Sequence, residues 1–297
     1  MKTRTRKTAS LITIGLVGAL ALAGCSGSEE DPDSKGKIVL GYLPAWTDGL
    51  SMAYLVDDQL QKMGYEVEHM TFADNGPMFA GLANGDFDMY PSTWPEINQK
   101  EYVEEYADDL EDLGAWSDSA RTTLSVPEYS DIDSIDELLA NADDFDGKVY
   151  TVEPGAGTTK NAEENLFPTY GLDEKFELVT SSTAGMLGQL ERALSRDEDV
   201  VITMWRPFWP YTEYPIKDLE DPKGAMGEPQ TMNFFAHKGF AEEFPEAAEL
   251  VEKIKLDDDQ YASLENTVVN EYEEGEEAEA IDAWLKENGD QFDWVVE

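Results

Sequence analysis

The sequence predicts an α/β protein of two doubly wound lobes joined by a hinge that the chain crosses twice. Three observations lead there. Short apolar runs alternate with stretches of helical periodicity, as parallel strands with helical crossovers require. One layout of strand, helix, strand, helix, strand and then Trp occurs before residue 95 and again after Gly147. Two extended passages, residues 122–127 and 230–236, stand where the chain would pass between lobes and return. Lobe 1 is expected over residues 37–124 and 231–297, and lobe 2 over residues 125–230.

Residues 37–43 read as the first strand, and Pro44-Ala-Trp46-Thr-Asp48-Gly49 as the loop after it. Met52, Leu55, Val56, Leu60 and Met63 recur at helical spacing, which predicts a helix over residues 50–63 with Gly64 just past its end. Residues 65–72 form the second strand, 77–84 a short helix and 87–90 the third strand, which closes at Pro91-Ser-Thr-Trp94-Pro95. The second half opens with a strand over 148–152 and the glycine-rich turn Glu153-Pro-Gly-Ala-Gly157-Thr-Thr159. A helix over 159–167, a strand over 176–179 and a helix over 184–194 follow. The last strand, Val200-Val-Ile-Thr-Met204, is β-branched and apolar and runs into Trp205-Arg-Pro207-Phe-Trp209-Pro210. Proline cannot donate to a ladder, so Pro207 ends the strand and both indoles are expected in a loop at the sheet's carboxyl edge. Open α/β sheets bind ligands at that edge. Amphipathic helices over 244–254, 261–272 and 277–288 would pack back on lobe 1. Trp116, Trp284 and Trp294 lie in or beside these outer elements and are read as core.

Charge restricts the partners. The 297 residues carry 21 Lys+Arg against 64 Asp+Glu, a net charge of -43, which repels nucleic acid and anionic headgroups. Carboxylates spread over every segment suit a surface solvated at high salt, where screening suppresses self-repulsion. Residues 1–24 differ: Lys2, Arg4, Arg6 and Lys7 precede an apolar run over 11–23, and Leu22-Ala-Gly-Cys25 closes it. This is an export leader. Its cysteine, the single one in the chain, excludes a disulfide and a cysteine metal site. The junction resembles the lipobox of bacterial lipoproteins, which implies that Cys25 is lipidated and tethers the protein to the outer face of a membrane. Residues 25–36 then read as a flexible leash.

If the layout holds, Trp46, Trp94, Trp205 and the 155–158 turn all face one cleft. Indole faces carry the strongest quadrupole for a cation, and a quaternary ammonium, having no N–H, suits π faces better than a carboxylate. The glycine turn offers the opposite polarity, since N–H groups at the start of a helix attract an anion. A cation cage beside an anion nest describes a small zwitterion.

On these residues the chain resembles the substrate-binding proteins of glycine betaine ABC importers, the OpuAC and ProX group. The matching pieces are Glu153-Pro-Gly-Ala-Gly157, Thr180-Ser-Ser-Thr-Ala-Gly-Met186, Met204-Trp-Arg-Pro-Phe-Trp209, Ser92-Thr-Trp-Pro95 and Leu124-Ser-Val-Pro127. The resemblance implies the two-lobed periplasmic-binding-protein fold, type II-like, and a permease as partner. It places the cage at Trp46, Trp94 and Trp205 and the carboxylate donors on the backbone of Gly157 and Thr158. Where such betaine binders often have His, this chain has Gln99, whose amide can still donate. Trp46-Thr-Asp48 resembles the choline-binding relatives, where the Asp can meet a ligand hydroxyl. Their Asn within the glycine turn is missing, with Ala156 and Gly157 standing there. Glycine betaine is thus the expected ligand, with choline, carnitine, proline betaine and trimethylamine oxide as alternatives.

A secreted enzyme acting on a cationic small molecule is the other class. The two histidines, His69 and His237, sit in no metal or triad motif, and no P-loop or G-x-S-x-G occurs. Carboxylate pairs are expected by chance in so acidic a chain. No catalytic residue, metal or cofactor is therefore assigned.

Overall fold

The computed structural model of the chain describes residues 35–296. The leader, Cys25 and most of the 25–36 leash lie outside the described residues. One sheet runs through both lobes. Its strands are β1 (Lys37–Tyr42), β2 (Glu66–Thr71), β3 (Met89–Thr93), β4 (Leu110–Pro127), β5 (Lys148–Thr151), β6 (Glu177–Thr180), β7 (Val201–Arg206), β8 (Ile216–Asp218) and β9 (Gln230–His237). Their order is β2-β1-β3-β9-β4-β7-β5-β6, with β8 pairing β4. β1 is parallel to β2 and β3, and β5 is parallel to β6 and β7, so the two halves repeat one local order.

The passage expected only over 122–127 is the last part of a strand of 18 residues. Leu110 to Ala120 pair with β9, Arg121 to Ser125 with β7, and Ser125 to Pro127 with β8. The early part shows no alternation because its register against β9 shifts three times between Asp112 and Ala120, and each bulge moves the next side chain to the other face. β9 is the return passage and pairs with both β3 and β4.

Other departures bear on the site. The first helix spans Thr47–Met63, three residues longer at its start than its apolar spacing suggests, because its first turn buries Thr47, Asp48 and Gly49 in place of apolar side chains. Trp46 is its cap residue, in extended backbone. Gly64 ends it in the left-handed region at φ 98°, as expected. β3 runs through Pro91 to Thr93, past the expected end at Tyr90, with a register shift against β9 that accommodates the proline. β7 runs to Arg206, so Trp205 lies within the strand's end and not in the loop; Pro207, after a cis peptide bond, is where pairing stops. The helix predicted over 159–167 starts at Gly157 and continues through a π-helical turn, Ala162–Leu166, to Tyr170.

Two apolar clusters make the core. The larger spans both lobes across the cleft, and its first-lobe part holds Trp116, Trp284 and Trp294, all buried as expected. The indole of Trp116 donates to Pro91 O at 2.8 Å and that of Trp284 to Ser263 Oγ at 3.1 Å. The smaller cluster fills the second lobe around Leu124, Phe145, Val149, Leu166 and Phe176. The helices Asp258–Asn266 and Glu277–Asn288 pack on Thr47–Met63 and so return the chain's end to the first lobe.

Candidate functional site

All four predicted positions are at carboxyl ends of strands and meet at one cavity. Trp46 follows β1, Trp94 follows β3, Trp205 closes β7, and the turn over residues 153–158 follows β5. The cavity is lined by these three indoles with Asp48, Gln99, Gly157, Thr158, Asn98, Val152 and Ala156. Every sequence-predicted site residue among the described ones is therefore present. Asn98 and Val152 were not singled out, since an isolated Asn and the last apolar residue of a strand carry no pattern.

Each indole is held differently. The Trp94 indole N–H donates to Asp48 Oδ2 at 3.0 Å, and its backbone N–H to Gln99 Oε1 at 2.6 Å. In return the Gln99 backbone N–H donates to Trp94 O at 2.9 Å. The Trp46 indole N–H crosses the cleft and donates to Thr183 Oγ1 at 3.2 Å. Thr183 is itself fixed, its N–H and hydroxyl donating to Glu153 at 2.8 and 2.9 Å. Trp205 stacks on Phe208 with ring centroids 3.9 Å apart and planes 18° from parallel. The segment behind that stack is locked by Arg206, whose guanidinium lies 3.5 Å from the Tyr211 ring centre and donates to Asp218 Oδ2 at 2.6 Å. Tyr211 completes the lock by donating to Asp218 Oδ1 at 2.6 Å.

Asp48 is the carboxyl that lines the cavity. Its Oδ2 accepts from Ser92 Oγ at 2.6 Å as well as from Trp94, so this oxygen is already occupied by the protein. Burial raises its pKa, and the bonds from Ser92 and Trp94 oppose that shift. Its place in the first turn of Thr47–Met63 also favours the ionised form. One turn away in space sits a second buried carboxyl, Glu265, which accepts from the Thr47 hydroxyl and, at 3.1 Å, from Tyr261. Burial pushes Glu265 up to about 8, with the Asp48 charge adding to the rise.

The glycine turn is anchored from within its own lobe by a chain of buried hydroxyls. Thr203 donates to Thr151 at 2.8 Å, Thr151 and Thr159 are 3.0 Å apart, and Thr159 donates to Val152 O. Neither Gly155 nor Gly157 has a positive φ, so conformation does not demand glycine here. Space does. A Cβ on Gly155 would lie 2.0 Å from Asp74 Oδ1, and one on Gly157 would lie 1.9 Å from the backbone oxygen of Asn98, both on the opposite lobe.

Among the described residues no cluster of His, Cys, Asp and Glu could hold a metal, and no helix is long and apolar enough to cross a membrane. The two histidines are engaged elsewhere, His69 with Tyr42 and Asp57, and His237 with Asp88.

Comparison with known proteins points the same way. A family model described as the substrate binding domain of the ABC-type glycine betaine transport system matches residues 36–287. The glycine betaine/carnitine transport binding protein GbuC of Listeria monocytogenes is 32% identical over 143 residues, 47% of this chain. The match covers 46% of that protein, so the chain spans less than half the length of this curated relative. ProX, the glycine/betaine/L-proline-binding protein of Borrelia burgdorferi, is similar in structure with a TM-score of 0.79 at 28% identity, over 88% of this chain and 97% of that one. Lactococcal OpuAC, closed on glycine betaine, gives 0.79 at 27% identity, over 88% of this chain and 99% of its own.

Proposed function

This chain belongs to the family of substrate-binding domains of ABC-type glycine betaine transport systems, and we propose that it captures glycine betaine or a related quaternary amine osmoprotectant and delivers it to the importer's permease. Such substrate-binding proteins are extracytoplasmic receptors and not enzymes. The observation that carries the ligand assignment is the convergence of Trp46, Trp94 and Trp205 on one cavity backed by buried Asp48. Three indole faces around a trimethylammonium head each contribute a desolvated cation–π contact, and Asp48 balances the head's charge from behind Trp94. The carboxylate of the ligand takes the other end, against the backbone N–H groups of Gly157 and Thr158. Gln99 has spent its oxygen on Trp94, which leaves its Nε2 donor for the same carboxylate.

A ligand hydroxyl would have to use Asp48 Oδ1, because Oδ2 already takes two bonds. Calorimetric titration with glycine betaine, carnitine, proline betaine and choline tests the assignment. Glycine betaine should bind most tightly with no turnover; a chain that binds none of the four would refute it. The membrane tether is part of the proposal and rests on the lipobox at Cys25. Cys25→Ala should release the protein into the medium or leave it unprocessed, whereas a cleaved variant that stays on membranes would remove the tether from the reading.

A further inference from the structure

The ligand cavity is one of several places where the lobes touch. Beyond it, the carbonyl of Gly155 projects toward the first lobe and accepts two hydrogen bonds, from Asn75 Nδ2 at 3.2 Å and from the Tyr102 hydroxyl at 3.3 Å. Neither donor lines the cavity. Both sit on packed elements. Asn75 is 1% exposed and opens the helix Asn75–Asn84, which Asp74 caps. Tyr102 stacks on Phe79, with ring centroids 5.2 Å apart and planes 9° from parallel. The surface they meet is the one where a Cβ on Gly155 or Gly157 finds no room.

We propose that Asn75 and Tyr102 are positioning residues for binding: they clamp the Gly155 carbonyl from the opposite lobe and so hold the closed cleft without touching the ligand. The inference rests on the capture reading above for its ligand, but its physical basis is protein against protein. When the lobes part, water takes the place of each partner, so a bond at this length favours the closed form by little alone. Two bonds to one oxygen add to the ligand's own contacts, and any ligand that needs closure gains the same factor. The neighbouring ion pair between Lys160 and Glu101 also spans the lobes, but both side chains are largely exposed and salt would screen it. These neutral bonds survive salt.

The test uses the full chain and three variants that separate the clamp from packing. Tyr102→Phe keeps the stack on Phe79 and removes only the hydroxyl. Asn75→Ala removes its donor, and Asn75→Asp would set a carboxylate oxygen against the Gly155 carbonyl. Tyr102→Phe and Asn75→Ala should each weaken every probe the parent binds, among glycine betaine, carnitine and choline, by about threefold. The loss should appear as faster dissociation by stopped-flow tryptophan fluorescence, with the ratio between probes and the melting temperature of the free protein unchanged. Asn75→Asp should lose more than Asn75→Ala. Unchanged affinities, or a loss confined to one probe, would overturn the clamp. Should the parent bind no probe, the ligand reading falls, and the clamp is then decided on free protein by fluorescence transfer between labels on exposed positions of the two lobes. A closed fraction that Asn75→Asp lowers supports it, and one that Asn75→Asp leaves unchanged refutes it.

Discussion

A tryptophan at a strand's end has two fates, core plug or ligand surface, and its neighbours decide between them. Trp116 and Trp284 satisfy their indole N–H on backbone or hydroxyl oxygens inside one lobe and line no cavity. Trp46, Trp94 and Trp205 line one cavity from two lobes. A desolvated cation–π contact is worth about 2 kcal/mol, so Trp205→Ala should weaken glycine betaine binding roughly thirtyfold in calorimetry, and Trp46→Ala and Trp94→Ala comparably. Parent affinity in Trp205→Ala would make it a core residue after all. Asp48→Asn should weaken betaine and choline alike if, as proposed, the side chain balances the shared head group; it also holds Trp94 through its indole N–H. A loss for choline alone would show that it meets a hydroxyl instead. The sequence made the cage legible because tryptophan is rare and proline marks the strand ends. It concealed the partners of those indoles, since Thr183, Glu153 and Phe208 lie far from Trp46 in sequence or are too ordinary to stand out. It also concealed the steric constraint on the glycine turn, which Asn98 and Asp74 impose from the other lobe.

At the scale of elements, the joint between Thr47–Met63 and Asp258–Asn266 is made by a carboxyl that the fold keeps protonated. Glu265 is fully buried, bonded to Thr47 and Tyr261, and raised from 4.5 to about 8. A carboxyl whose folded pKa is raised binds its proton more tightly in the native state, so its contribution is complete below 4.5 and is lost as pH rises through about 8. Glu265→Gln keeps an acceptor for both partners and cannot ionise. Chemical denaturation from pH 5 to 9 should therefore show the parent losing stability relative to Glu265→Gln, by on the order of a few kcal/mol across the window. Parallel pH profiles would mean that the joint does not depend on that proton. This helix start was hidden from the sequence for the same reason that it matters: its first turn is polar and buried, and periodicity sees only apolar residues. β4 was half hidden by its bulges. Strands and helices with plain patterns, such as Lys37–Tyr42 and Glu277–Asn288, were legible almost to the residue.

For the whole molecule the governing quantity is charge. Removing residues 1–24 would take away four basic residues and no acidic one, which moves the net charge from -43 to -47. Most of the lysines already sit beside carboxylates at the surface, as Lys37 does with Glu68 and Lys217 with Asp133, and such pairs contribute about 0 to 1 kcal/mol each. The remaining carboxylates repel one another over distances that salt sets, about 10 Å at 0.1 M and about 3 Å at 1 M. The melting temperature should therefore climb steeply from dilute buffer to molar salt. Betaine affinity should change less over the same range, because the cage indoles and Asp48 are buried, and the Asn75 and Tyr102 bonds to Gly155 are neutral. Differential scanning calorimetry and titration calorimetry in one salt series read both quantities. A flat melting profile would separate the acidic surface from any dependence on salt, and an affinity that tracked the melting curve would mean that closure is held by exposed charge and not by the buried contacts of the cleft.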